Sequence, residues 1–148
     1  MRLFLSFALA ALAGCSHPPP ATPLYPVAGR LVIGGVPAAN AQVAFHPVGV
    51  GSLSVAHTDA EGRFRLTTRA ANDGAAAGEY VVTFFWPNHE GMCDDFAHDR
   101  MNGAYLDRAK SPLRATVRPE SNDIVIQASI TAGGWNLPRT RDLSPERK

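Results

Sequence analysis

Along most of this chain, apolar and polar positions alternate with a period of two, the signature of strands with one buried face. Val27, Gly29, Leu31 and Ile33 share one face of the first such run. Gly34-Gly35-Val36-Pro37 then turns the chain, and Asn40, which tolerates left-handed backbone, precedes the next strand. In that strand Ala41, Val43 and Phe45 point inward, Gln42 and Ala44 point out, and His46-Pro47 ends it. A glycine-containing loop over 48–52 follows. The stretch around which the rest is organised runs from His57 to Leu66. Before it, Leu53 and Val55 alternate with Ser54 and Ala56; at its end, Phe64 and Leu66 alternate with Arg63 and Arg65. Asp59 is placed to accept hydrogen bonds from the turn backbone, and Gly62 to take a left-handed conformation. The pattern predicts a β-hairpin with Phe64 in the core.

Downstream, 69–78 is a small-residue loop around Asn72-Asp73-Gly74. Glu79 to Trp86 is apolar in both registers, which predicts a central strand covered on both faces and stopped by Pro87. Leu113, Ala115 and Val117 alternate with Arg114, Thr116 and Arg118. After a turn over 119–123, Ile124, Ile126, Ala128 and Ile130 form the last strand. Seven short strands with turn signals between them predict an all-β fold, an Ig-like β-sandwich over residues 26–131. Thirteen glycines and twelve prolines, without any sustained helical period, agree. Residues 132–148 read as a mobile tail apart from Trp135.

The N-terminus changes the picture. In residues 1–14, Arg2 precedes an apolar run from Leu3 to Ala13 that is too short for a stable span, as in a secretory signal peptide. It ends Leu12-Ala13-Gly14-Cys15, which closely resembles the bacterial lipobox. The resemblance implies that Cys15 carries diacylglycerol on its sulfur and an acyl chain, such as palmitate, on the new N-terminus. At ~0.8 kcal/mol per buried CH₂, several chains anchor a protein durably without a transmembrane helix. Membrane lipid is then the partner at this end, the covalent lipid stands in place of any cofactor, and Cys93 is left unpaired. Ser16 after the lipidated position implies an outer-membrane address. Residues 15–25 form a proline-rich tether, extended at about 3.1 Å per residue, that holds the domain off the lipid surface.

The domain itself resembles a carboxypeptidase regulatory-like domain of the transthyretin or prealbumin type, and in particular small bacterial lipoproteins made of this one domain. The resemblance rests on Val27-Ala28-Gly29-Arg30-Leu31, Gly35-Val36-Pro37-Ala38-Ala39-Asn40-Ala41-Gln42-Val43-Ala44-Phe45, Thr58-Asp59-Ala60-Glu61-Gly62-Arg63-Phe64 and Gly78-Glu79-Tyr80-Val81-Val82. Tyr105-Leu106-Asp107 and Ser111-Pro112-Leu113 extend it. The family usually has glycine where Asn40 stands, a change the left-handed backbone allows. The resemblance implies a seven-stranded sandwich and no peptidase chemistry, since the family takes its name from domains appended to metallopeptidases.

Composition and charge narrow the partners. A chain of 148 residues with a formal charge of +1 and interspersed basic residues lacks the basic face that phosphate backbones require, so nucleic acid is excluded and a monomer is expected. Candidate chemistry is confined to 88–110, a connection too long to be a simple turn. It holds His89, Glu90, Met92, Cys93, Asp94, Asp95, His98 and Asp99. His89, Cys93 and His98 offer two imidazoles and a thiolate to zinc or copper, with Asp94 or Asp95 as a fourth ligand. No pair has strict C-x₂-C or H-x₃-H spacing, and a solvated polar loop capping the sandwich is the simpler reading. Cys93 with His89 or His98 as base would need a third, orienting group, and none is indicated. There is no G-x-S-x-G motif and no phosphate-cradling glycine loop. Trp86 and Trp135 offer aromatic faces on which a sugar could stack. The expectation is a non-enzymatic envelope lipoprotein with a structural or interaction role toward an envelope protein or glycan. The alternatives are a metal-binding lipoprotein using His89, Cys93, Asp95 and His98, and a carbohydrate-binding accessory module.

Overall fold

A computed structural model describes residues 21–88 and 99–130, and within them the alternating runs become eight strands. These are β1 (Val27–Ile33), β2 (Val36–Pro37), β3 (Gln42–Pro47), β4 (Ser54–His57), β5 (Arg63–Arg65), β6 (Gly78–Phe85), β7 (Arg114–Val117) and β8 (Asn122–Ala128). The addition to the expected seven is the two-residue β2, which pairs back onto the end of β1. The strands form two sheets. In the first, β8 runs parallel to β1 over the whole length of that strand. The other edge of β1 is shared: β5 pairs antiparallel with Ala28–Arg30 and β2 with Val32 and Ile33. The second sheet has the order β4-β3-β6-β7, antiparallel throughout.

The core lies between the sheets. Val27, Leu31, Ile33, Phe64, Leu66 and Ile126 come from the first sheet and its continuations, and face Val43, Phe45, Tyr80, Val82, Phe84 and Val117 of the second. The Phe45 ring makes tilted contacts with Phe64 (centroids 6.1 Å apart) and Tyr80 (5.8 Å). Phe64 lies directly over Gly29: a Cβ there would fall 2.5 Å from the ring Cζ and against the main-chain oxygen of Ile124. Glycine at this position is what lets an aromatic ring pack onto the backbone of β1. β6 is buried along both faces from Tyr80 to Phe85, as its two-register apolarity predicts.

Three expectations are corrected. Ser54 and Ala56 face the core, whereas Leu53 (47% exposed) and Val55 (45%) face solvent. Register is the reason: Ser54 lies opposite Phe45 and Ala56 opposite Val43, and residues directly opposite on paired strands share a face. The buried hydroxyl is satisfied, with Ser54 Oγ 2.6 Å from Thr68 Oγ1, which in turn donates to the Gly74 carbonyl. The stretch from His57 to Leu66 is also a corner between sheets, not a hairpin, because β4 pairs with β3 and β5 with β1. Its arms touch through one bridge, Val55 to Thr67. The turn itself matches expectation: Asp59 Oδ1 accepts from the N–H groups of Glu61 and Arg63, and Gly62 has φ +73°. Finally, the last strand ends at Ala128, and Ile130 is 43% exposed.

Candidate functional surface

Most of the predicted site residues lie outside the described residues: Cys15, His89, Glu90, Met92, Cys93, Asp94, Asp95, His98 and Trp135. Where 88–110 is described, it belongs to the scaffold. Pro87 and Asp99 form an antiparallel bridge, so the strand end and the returning chain meet side by side. Asp99 is buried, and its carboxylate is spent on the backbone, accepting from Trp86 N–H (3.0 Å) and Gly103 N–H (2.7 Å). The Arg100 guanidinium sits 4.7 Å from the centre of the Trp86 ring while its Nε donates to the Pro87 carbonyl. Beyond it, Met101 and Tyr105 are buried, and the Tyr105 ring stacks on Phe84 at 4.7 Å. Asp99, Met101 and Tyr105 thus tie this half of the connection into the core, while Asn102, Ala104 and 107–110 are exposed, as a solvated loop would be. The signal was in the sequence: Met101 and Tyr105 stand four apart in a stretch otherwise rich in polar and small residues.

Trp86 does not offer a sugar platform. It is 3% exposed, and its indole N–H donates to the Ala39 carbonyl at 3.0 Å. Among the described residues no group of three or more His, Cys, Asp or Glu is placed to hold a metal. No described helix is long and apolar enough to cross a membrane. The remaining buried polar side chains serve architecture. Thr58 Oγ1 accepts from Ala41 N–H and donates to the Ala38 carbonyl, and Ser111 Oγ donates to the Val82 carbonyl. Thr83 Oγ1 lies 2.9 Å from His46 Nε2 on the outer face of the second sheet. Burial, assisted by the nearby Arg108 charge, holds the His46 imidazole below its ordinary pKa.

The outer face of the first sheet has a different character. A shallow depression of about 910 Å³ is bordered by Arg30, His57, Arg63, Arg65, Asp123 and Val125. The alternation that sends Phe64 inward sends Arg63 and Arg65 outward, and β-pairing sets Arg63 directly across from Arg30. Two like charges at opposed positions repel by a few tenths of a kcal/mol or more. Arg30 is held in place by donating Nε to the Glu61 carbonyl at 2.8 Å. Among the described residues, the side chains of Arg63 and Arg65 have no hydrogen-bond or ion-pair partner. The surface can therefore meet carboxylates or phosphates without first breaking an internal contact. The sequence reading missed it because it sorted the arginines only as outward-facing. Strand pairing is what gathers them.

No protein-family model matches this chain, and a search of curated proteins finds no significant match.

Proposed function

We propose that this chain is a non-enzymatic, lipid-anchored module of the bacterial cell envelope that works by docking an acidic partner on its first sheet. The observation that carries the reading is the outer face of that sheet, where Arg30, Arg63 and Arg65 stand together and, among the described residues, the side chains of Arg63 and Arg65 have no hydrogen-bond or ion-pair partner. The reading joins three parts. The lipobox ending in Cys15 supplies the anchor, and Ser16 an outer-membrane address. The proline-rich tether supplies reach. The two-sheet domain, of the carboxypeptidase regulatory-like, transthyretin type, supplies a rigid platform. Its non-enzymatic character is supported by the use of the buried polar groups Ser54, Thr58, Asp99 and Ser111, each bonded within the scaffold.

Crosslinking and pull-down from the native envelope tests the proposal, with the Arg63→Glu/Arg65→Glu double variant as control. The proposal expects a partner that the wild type captures and the double variant loses. Turnover by the purified protein that disappears in Cys93→Ala would replace it with an enzyme. Zinc or copper binding tighter than ~10 µM would replace it with the metal reading. The anchor is tested separately by Cys15→Ala, which removes the acceptor thiol. That variant should lose detergent partitioning and keep its thermal unfolding midpoint; a variant that still partitions as a mature lipoprotein refutes the lipobox assignment.

A further inference from the structure

We propose that β8 is a dimerisation edge through which two copies of this chain join their first sheets into one. A sheet edge invites another strand wherever its N–H and C=O groups are unpaired, and proteins blunt most such edges. Among the described residues, the other strands at sheet edges are short or blunted, starting with β2, which is two residues long and ends in Pro37. β4 is closed by Thr67, which exchanges both main-chain hydrogen bonds with Val55. β5 is three residues long, and its turn is capped by Asp59. β7 is four residues long and carries Arg114, with Arg118 just beyond it. β8 is different. It runs seven residues, contains no proline or lysine, and pairs among the described residues with β1 alone.

The bonds at its two ends fix which groups remain open. Asn122 N–H donates to the Pro26 carbonyl, and the Ala128 carbonyl accepts from Gly34 N–H, so the even-numbered residues bond toward β1. With a period of two, Asp123, Val125 and Gln127 turn their N–H and C=O groups to the open edge. These same residues have exposed side chains, and Val125 is 59% exposed.

The occupant is a second copy because the edge is complementary to itself. The run Asp123-Ile124-Val125-Ile126-Gln127 reads alike from either end in character. An antiparallel pairing with its twofold axis at Val125 sets Val125 against Val125 of the second copy. It sets Asp123 against Gln127 of the second copy, so that a carboxylate meets an amide donor and no like charges oppose. Each of these pairs exchanges both main-chain bonds. On the inner face, half-buried Ile124 meets Ile126 of the second copy and the apolar layer continues across the seam. A twofold axis perpendicular to the sheet also points both outer faces the same way, so the two arginine surfaces would lie side by side. The expected monomer gives way, on this inference, to a concentration-dependent dimer.

Sedimentation velocity of the full chain in non-ionic detergent, from ~1 µM to ~1 mM, reads the association directly. A reversible dimer is expected, accompanied by concentration-dependent hydrogen-exchange protection of the Val125 and Gln127 amides. Val125→Lys places two ammonium groups at the twofold axis and should weaken association at least tenfold; because Val125 is exposed, the thermal midpoint of the monomer should hold. Gln127→Lys converts both Asp123 contacts into opposite-charge pairs and should tighten association about 2- to 30-fold at low salt. A chain that stays monomeric over the whole range overturns the proposal. So does a dimer indifferent to both substitutions.

Discussion

The contact between Gly29 and Phe64 is the point at which this fold is most sharply testable. Gly29→Ala adds one methyl group where the structure has no room: the new Cβ would lie 2.5 Å from Phe64 Cζ and against the Ile124 carbonyl oxygen. Overpacking a core by a methylene typically costs ~1–3 kcal/mol. The cost here belongs near the upper end, because one of the two neighbours is the backbone of β8 and cannot give way without loosening its ladder to β1. Phe64→Ala, at a residue 3% exposed, should cost ~3–5 kcal/mol through lost burial and the cavity left behind. The two effects are coupled. With the ring gone, the methyl added at position 29 opposes only the Ile124 oxygen, so the double variant should be more stable than the sum of the singles predicts, by about 1 kcal/mol or more. Arg65→Ala, one residue on and facing out, should cost about 0.5 kcal/mol or less. Urea denaturation of the four variants, with slopes matching wild type, measures all of this. The total stability of such a domain is roughly 5–15 kcal/mol, so Phe64→Leu serves as the milder ring deletion if Phe64→Ala does not fold. Additive Gly29 and Phe64 effects, or a neutral Gly29→Ala, would refute the packing of ring on backbone.

Other outcomes follow from the same geometry. Gly62→Val should cost at least ~1–2 kcal/mol, since a β-branched residue resists φ +73° and its Cβ would lie 2.7 Å from the Leu31 carbonyl oxygen; an unchanged midpoint would remove the corner from its assigned place. Asp99→Ala removes the carboxylate that accepts from the Trp86 and Gly103 N–H groups and should cost ~1–3 kcal/mol, with faster hydrogen exchange at the Gly103 amide as the local readout. His46 has a folded pKa below its ordinary 6.5, so the unfolded chain takes up the proton first as pH falls. Stability should therefore decline from pH 6.5 downward and level off below the folded value, and His46→Gln should show a smaller loss between neutral and mildly acidic pH when unfolding is followed across that range.

Which parts of the fold were legible depended on whether one strand carried enough information by itself. β5 did, because Phe64 faces in between the outward Arg63 and Arg65, and β1 did through the alternation of inward Val27, Leu31 and Ile33 with the outward Arg30. β4 did not. The larger apolar residues, Val55 within it and Leu53 just before it, face out, and its inward positions hold Ser54 and Ala56 because Phe45 and Val43 already fill the space opposite. Small residues opposite large ones are a property of the pair, invisible until the register is known. The parallel pairing of β8 with β1 joins the two ends of the domain, and no local pattern announces it. The corner at Asp59–Gly62 shows the same division. Its turn chemistry was readable residue by residue, but whether its arms share a sheet is decided by the competing partners β3 and β1.

The candidate site was harder to read for a related reason. A polar cluster on a long connection looks like chemistry in one dimension, yet backbone groups need partners before any ligand does. Where β6 stops at Pro87, the preceding Trp86 N–H has passed beyond its ladder, and Asp99 is the acceptor that meets it. Asp73 does the same service in the 69–78 loop. It accepts from the N–H groups of Thr68, Arg69 and Ala70, and these bonds, led by that from Thr68, hold its carboxyl below the ordinary carboxylate value. Asp59, Asp73 and Asp99 are thus used to finish turns. Most of the described arginines are likewise tied to the main chain, as Arg30, Arg69, Arg100, Arg108 and Arg114 each donate to a carbonyl. Arg63 and Arg65 close no turn with their side chains, and strand pairing brings them beside Arg30 on an open face. Asp123 borders the same face, so the excess of guanidinium groups there is local. A chain with a formal charge of only +1 can in this way gather three arginines on one sheet face, which net charge alone does not reveal.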